Sequence, residues 1–231
     1  MRPVAEPSSP DAFRLMHQKV ATWLNAGGIV APVLWASAVV YSGSLHPEYS
    51  HARQYISELA ARGSSTQHVM QATGFVLPGL MTAGFGVLLA MSNRARVAGI
   101  GAALLIVSGL ARATAGVFVP DPPGRGLPPS FEEWMHNAAG LTYVVTLPLA
   151  VLVWFMASRT ERWLSTWFTW YSLATVVAAV ASPFALIAAG IATARDVGLF
   201  QRVSFGLLNS WILVFAAASM TNREFSRTAM A

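Results

Sequence analysis

Cysteine is absent from the 231 residues. That absence excludes disulfides, thiolate metal sites and cysteine nucleophiles. Charge is scarce too. Only 11% of the residues are charged and 55% are hydrophobic, whereas a soluble domain carries about 25% charged residues. A solvated surface needs more charge than this, and positions facing lipid do not. The mean hydropathy is +0.51. The net charge of +5 does not point to nucleic acid, because the basic residues stand singly at the ends of apolar runs and no run of five like charges occurs. No repeat at a fixed period is present, so the chain reads as one domain.

The sequence does contain long apolar runs. Six spans are expected near residues 23–43, 69–91, 97–119, 134–157, 165–193 and 203–221. Each reaches about 20 residues, enough to cross roughly 30 Å of hydrocarbon. The fold class is therefore all-α, an integral membrane bundle of six transmembrane helices. Residues 1–22 read as a flexible cytoplasmic tail, 23–221 as the transmembrane domain and 222–231 as a second cytoplasmic tail. The small-residue run Ala36-Ser37-Ala38 is not a processing site, because the apolar run continues past it. Six spans place both termini on one side, where nine arginines and lysines collect against five on the other. The bias of basic residues toward the cytoplasm then orients both termini inward across the cell membrane. Trp134, Trp163, Trp167 and Trp170 sit near span ends, as interfacial anchors do.

Between the first two spans runs HPEYSHARQYISELAARG, His46 to Gly63, the longest polar interruption. Ala52, Tyr55, Ile56, Leu59 and Ala60 recur at helical spacing on one face. Ser50 suits an N-cap, Gly63 a C-terminal stop, and Glu58 precedes Arg62 by one helical turn. This predicts a short interfacial helix in the first outer loop, carrying His51, Gln54, Ser57 and Glu58 on its polar face.

Arg112 lies inside the third span, where a guanidinium must snorkel, pair or face water. Asp121, Glu58 and Asp196 are its candidate partners. His136 opens the fourth span, and Gln201 and Arg202 open the sixth, with Asn209 two turns beyond Arg202 on the same face. Asp121 and His136 bracket the loop PDPPGRGLPPS, stiffened by five prolines. Ser57, Glu58, Arg112, Asp121, His136, Gln201 and Arg202 thus converge on the outer face from separate segments.

The segments YSHARQYISELAARGSSTQ, AGVFVPDPPG, MHNAAG and GLFQR, in this order, resemble the domain of unknown function 998 family of small multi-pass membrane proteins. The resemblance covers roughly residues 25–220. It implies a six-helix membrane bundle with family-typical positions at Ser57, Asp121, His136 and Arg202, and it implies no established activity.

Three readings of function follow. Ser57, Asp121 and His136 supply a hydroxyl, a carboxylate and an imidazole, the candidate catalytic set of an intramembrane hydrolase-like enzyme. The set superficially resembles that of the alkaline ceramidase and progestin-receptor superfamily, but those proteins have seven spans and three zinc-bound histidines. His46, His51, His136 and Asp121 could offer zinc nitrogen and oxygen, but the spacing of His46 and His51 is poor for helical ligands, and no cofactor is expected. Glu58, Arg112, Gln201 and Arg202 form a candidate ligand-binding set, in which the two arginines suit an anionic head group. A non-catalytic binding or transport module and a structural accessory subunit are the alternatives to an enzyme. The reading adopted is an outward-facing polar pocket for a lipid or amphiphilic small molecule, with membrane lipids as surroundings, no nucleic acid, and catalysis left open.

Overall fold

The computed structural model describes residues 10–93, 95–124, 128–160 and 163–222. Six long helices carry the fold: α1 Pro10–Ser44, α2 Gln67–Ser92, α3 Arg96–Val117, α4 Phe131–Ser158, α5 Thr166–Ala188 and α6 Val197–Thr221. All six are long and apolar enough to cross a membrane, α1 over Gln18–Ser44. No strand occurs among the described residues. The expected tails at residues 1–9 and 223–231 lie outside the described residues. The described part of the first tail is helical, because α1 begins at Pro10.

Two boundaries differ from the hydropathy reading. The fifth span ends at Ala188, where Gly190 takes φ +69° and its N–H bonds back to the Ile187 carbonyl. Apolar composition continues beyond that turn, but the left-handed glycine stops the helix. The sixth span starts earlier than expected, at Val197. Just before it, the Asp196 carboxylate accepts from the Thr193 N–H and hydroxyl. Those bonds hold the Asp196 carboxyl below its ordinary value.

Each helix packs on its sequence neighbours, and α6 closes the ring against α1. The α2–α3 seam is made of small residues. A Cβ added to Gly79 would lie 2.6 Å from the Gly109 carbonyl oxygen, and one added to Gly109 would lie 2.6 Å from that of Gly79. Such close approach replaces the hydrophobic driving force that lipid does not supply. Toward the end of the bundle that carries the chain termini, the interior is filled by rings. Phe215 is fully buried, with Trp154 at 4.6 Å, Phe168 at 4.8 Å, Trp211 at 5.1 Å and Phe85 at 5.5 Å between centroids. Trp134, Trp167 and Trp170 are exposed, as anchors should be. Trp163 instead stacks on Phe215 and donates to the Asn93 side chain at 3.1 Å.

Prolines inside helices leave carbonyls without their α-helical donor. Pro183 frees Ala179 O, and Ser204 of α6 donates to it at 2.7 Å. Pro78 frees Gly74 O, which lies in a π-helical stretch, Met70–Val76, and finds its donor in α3.

Two glycines of α3 should respond oppositely to alanine. Gly109→Ala drives a methyl into the α2 backbone and should lower the unfolding temperature in detergent, at a cost of about 1–3 kcal/mol. Gly99 faces open space, so Gly99→Ala should raise stability by about 0.5–1 kcal/mol. Equal responses would mean that the seam is not the tight contact described.

Candidate functional site

The opposite end of the bundle, where the long connections lie, is hollow. A cavity of about 570 Å³ opens there. Its lining includes Ser57, Glu58, Arg112, Asp121, His136 and Gln201, so six of the seven expected site residues meet around one space. Arg202 does not line it. The apolar wall comes from Trp35, Phe75, Tyr143 and Phe205, with Leu141 and Val144 at the side.

Arg112 is 3% exposed. It pairs with none of its expected acids: among the described residues no ion pair joins it to Glu58, Asp121 or Asp196. Its Nη1 donates to Asn209 Oδ1 at 3.1 Å and its Nη2 to Gly74 O at 2.9 Å. The Trp35 and Tyr143 rings face the guanidinium at 5.7 and 5.6 Å. Asn209 in turn donates to the Tyr143 hydroxyl at 3.2 Å and to Phe205 O at 2.8 Å. The acids accept elsewhere: Glu58 from Gln54 and Tyr55 N, Asp121 from Ser130 N, and Asp196 from Thr193.

His136 is buried, and its Nδ1 lies 2.7 Å from Ala115 O and 3.2 Å from Phe118 O. Two carbonyls at one nitrogen require Nδ1 to carry the proton. A neutral ring then offers Nε2 as the acceptor. The Asp121 Oδ2 accepts from Ser130 N at 2.8 Å, and Asp121 N donates to Glu133 Oε2 at 2.7 Å. Ser130 caps α4 by accepting from Glu133 N. The proline-rich loop is therefore closed by Asp121, Ser130 and Glu133, where the sequence had suggested Asp121 and His136. Ser57 lines the cavity, and no hydrogen bond links it to His136 or Asp121.

The segment 45–66 roofs this end. The interfacial helix expected from Ser50 onward is not formed. Only Ile56–Ala60 is helical, as a 3-10 helix. The reason is visible in the backbone. In an α-helix Ile56 N would donate to Ala52 O. Here Ile56 N donates to Gln201 Oε1 at 2.7 Å, and Ala52 O accepts from Leu199 N at 2.8 Å. Docking on α6 has redirected both groups. Glu58 accepts from Tyr55 N and Gln54 Nε2, both at 2.9 Å, while Arg62 pairs with Glu132, so the expected Glu58–Arg62 pair is not made. Of the expected apolar face, Ile56, Leu59 and Ala60 are buried, Ala52 is half-buried and Tyr55 is exposed. Gly63 ends the segment with φ +83°.

Arg202 is the fastening of this roof. It donates to Gln54 O and Gly198 O at 2.9 Å, to His51 Nδ1 at 3.2 Å and to the Tyr49 hydroxyl. Gly198 is required there, because a Cβ would lie 2.8 Å from His51 O. Burial raises the pKa of Tyr49 even beside this cation, so its hydroxyl stays protonated. At the far edge, Arg62 N donates to Pro120 O at 2.9 Å. His46 sits at 3.0 Å from Thr66 Oγ1 and 3.1 Å from Ser64 Oγ. His46, His51 and His136 thus face different partners, and among the described residues no three metal-ligating side chains cluster.

Sequence reasoning missed Gly74, Trp35, Phe75 and Phe205. One signal was available for the first, since Pro78 four residues later leaves the Gly74 carbonyl open.

Fold and geometry together define a multi-pass helical membrane protein with a cavity at one end of its bundle. The chain belongs to the family described as Protein of unknown function (DUF998), whose model matches residues 29–218. No curated protein and no solved structure matches it.

One fastening of the roof involves a titratable ring, the His51 Nδ1 that accepts from Arg202. Burial and then the Arg202 charge lower the pKa of His51 from its ordinary 6.5. The fold therefore prefers the neutral ring, whose Nδ1 accepts from Arg202. Its contribution is complete above about pH 6.5 and is lost as pH falls through the lowered folded value. Hydrogen exchange of residues 45–66, corrected for intrinsic rates, should lose protection as pH falls below about 6.5. His51→Phe should remove that dependence, and a wild-type profile without it would contradict the fastening.

Proposed function

We propose that the protein binds a lipid or amphiphilic small molecule in this cavity, from the outer side of the cell membrane with both termini in the cytoplasm. The observation that carries the reading is the double character of the lining. Glu58, Arg112, His136 and Gln201 offer charge and hydrogen bonds, while Leu141 and Val144, exposed on the side of α4, continue the wall toward lipid. A ligand with a polar head and an apolar chain fits both surfaces. The orientation rests on the excess of basic residues at the terminal side.

A hydrolase-like activity is the second reading. It is favoured by one observation: Ser57 and His136 both line the cavity, and the Nδ1 contacts of His136 leave Nε2 as its basic nitrogen. Asp121 would not orient that imidazole, so such chemistry would rest on Ser57 and His136 alone.

Mass spectrometry of molecules that copurify with the protein tests the first reading. Gly140 lines the cavity and has open space at its Cβ position. Gly140→Phe should therefore fill the cavity, leave the fold intact, and displace the copurifying amphiphile. Identical sets of molecules from both proteins would refute the pocket. Ser57→Ala and His136→Ala test catalysis. Under the hydrolase reading each retains an uncleaved ester or amide where the wild type retains its fragment; under binding alone the retained mass is unchanged.

A further inference from the structure

We infer that the cavity seats an anionic group, a phosphate or a carboxylate, directly on the guanidinium of Arg112. This rests on the reading of the cavity as a ligand pocket and adds the chemistry of the head group. Arg112 lies among the deepest lining residues, five positions before the end of α3 at Val117, or about 7.5 Å along the axis. Among the described residues its charge has no carboxylate partner. Asn209 and Gly74 O use two of its five N–H groups. A buried cation without a counter-ion is costly, and an incoming anion removes that cost where the dielectric is low. The fork is already held by Asn209, Gly74 O and the Trp35 and Tyr143 rings, so little ordering is required on binding.

The other charges sharpen the choice. Arg202, the second arginine of the expected binding set, is committed to the roof. The acids of the cavity have their own donors: Tyr55 N and Gln54 for Glu58, Ser130 N for Asp121, and Asp121 N and Asn137 for Glu133. They come from the roof, the loop after α3 and the first turn of α4, whereas Arg112 stands within α3. That arrangement suits one anionic group at depth with hydroxyl or ammonium donors behind it.

The test uses the full chain in a neutral detergent, with three probes: lysophosphatidic acid, monoacylglycerol of the same acyl chain, and glycerol phosphate. Occupancy is read by native mass spectrometry and thermal unfolding. Lysophosphatidic acid should bind about tenfold or more tightly than monoacylglycerol. Arg112→Gln should abolish that preference, and Arg112→Lys should keep part of it. Wild-type ranking decides the matter even if Arg112→Gln cannot be purified. Equal binding of the two lipids overturns the anion seat and leaves the amphiphile pocket standing. Binding of neither lipid nor glycerol phosphate overturns both. Glycerol phosphate binding as tightly as lysophosphatidic acid supports the anion seat, assigns it to a free solute and overturns the amphiphile reading.

Discussion

A guanidinium inside a helical membrane bundle must be answered by something, and in this protein the answer is distributed. Arg112 of α3 reaches a proline-freed carbonyl of α2, an amide of α6, and rings of α1 and α4. Four of the five other helices thus contribute to one side chain. Helices in lipid gain little from hydrophobic association, so polar contacts and tight packing set their register. Arg112 supplies the polar contact at the hollow end, and the Gly79–Gly109 seam supplies the packing beside it. The carbonyl of Gly74 connects the two, since the π-helical stretch that exposes it runs into the helix that carries the seam.

The two ends of the bundle solve different problems. At the terminal end Phe215 gathers Trp154, Phe168, Trp211 and Phe85 into a filled core. At the other end α1, α2, α3, α4 and α6 line the cavity, and α5 contributes no residue to it. Tyr143 marks the change of regime. Its ring meets Phe205 at 5.1 Å and faces Arg112, and its hydroxyl accepts from Asn209. One residue therefore closes the floor of the cavity and takes part in the polar network above the aromatic plug.

The six spans were legible because their apolar length is a direct requirement of the bilayer. Convergence of Ser57, Glu58, Arg112, Asp121, His136 and Gln201 was legible because helix direction alternates and fixes the end at which each residue lies. Pairing was not. Whether Arg112 meets Asp121 or Asn209 depends on helix rotation, which a nearly uniform apolar sequence records weakly. The segment after Ser50 failed for another reason. Its periodicity correctly found the buried Ile56, Leu59 and Ala60, but helical propensity lost to docking, since Gln201 and Leu199 claimed the backbone groups that a helix would have paired internally. Arg202 was placed with the binding set because it shares a compartment with it, although its donors hold the roof.

The roof also sets how a bound molecule would exchange. Lifting the 45–66 segment off α6 would break the Ile56–Gln201, Leu199–Ala52 and Arg202–Gln54 bonds. Between α4 and α6 the only hydrogen bond among the described residues is Tyr143–Asn209, at the cavity floor. Gly140 and Gly206 have open space beside them. A molecule held there would thus meet a fastened wall at the roof and an almost unfastened one between α4 and α6, so the two sides of the cavity differ in what must break before they part.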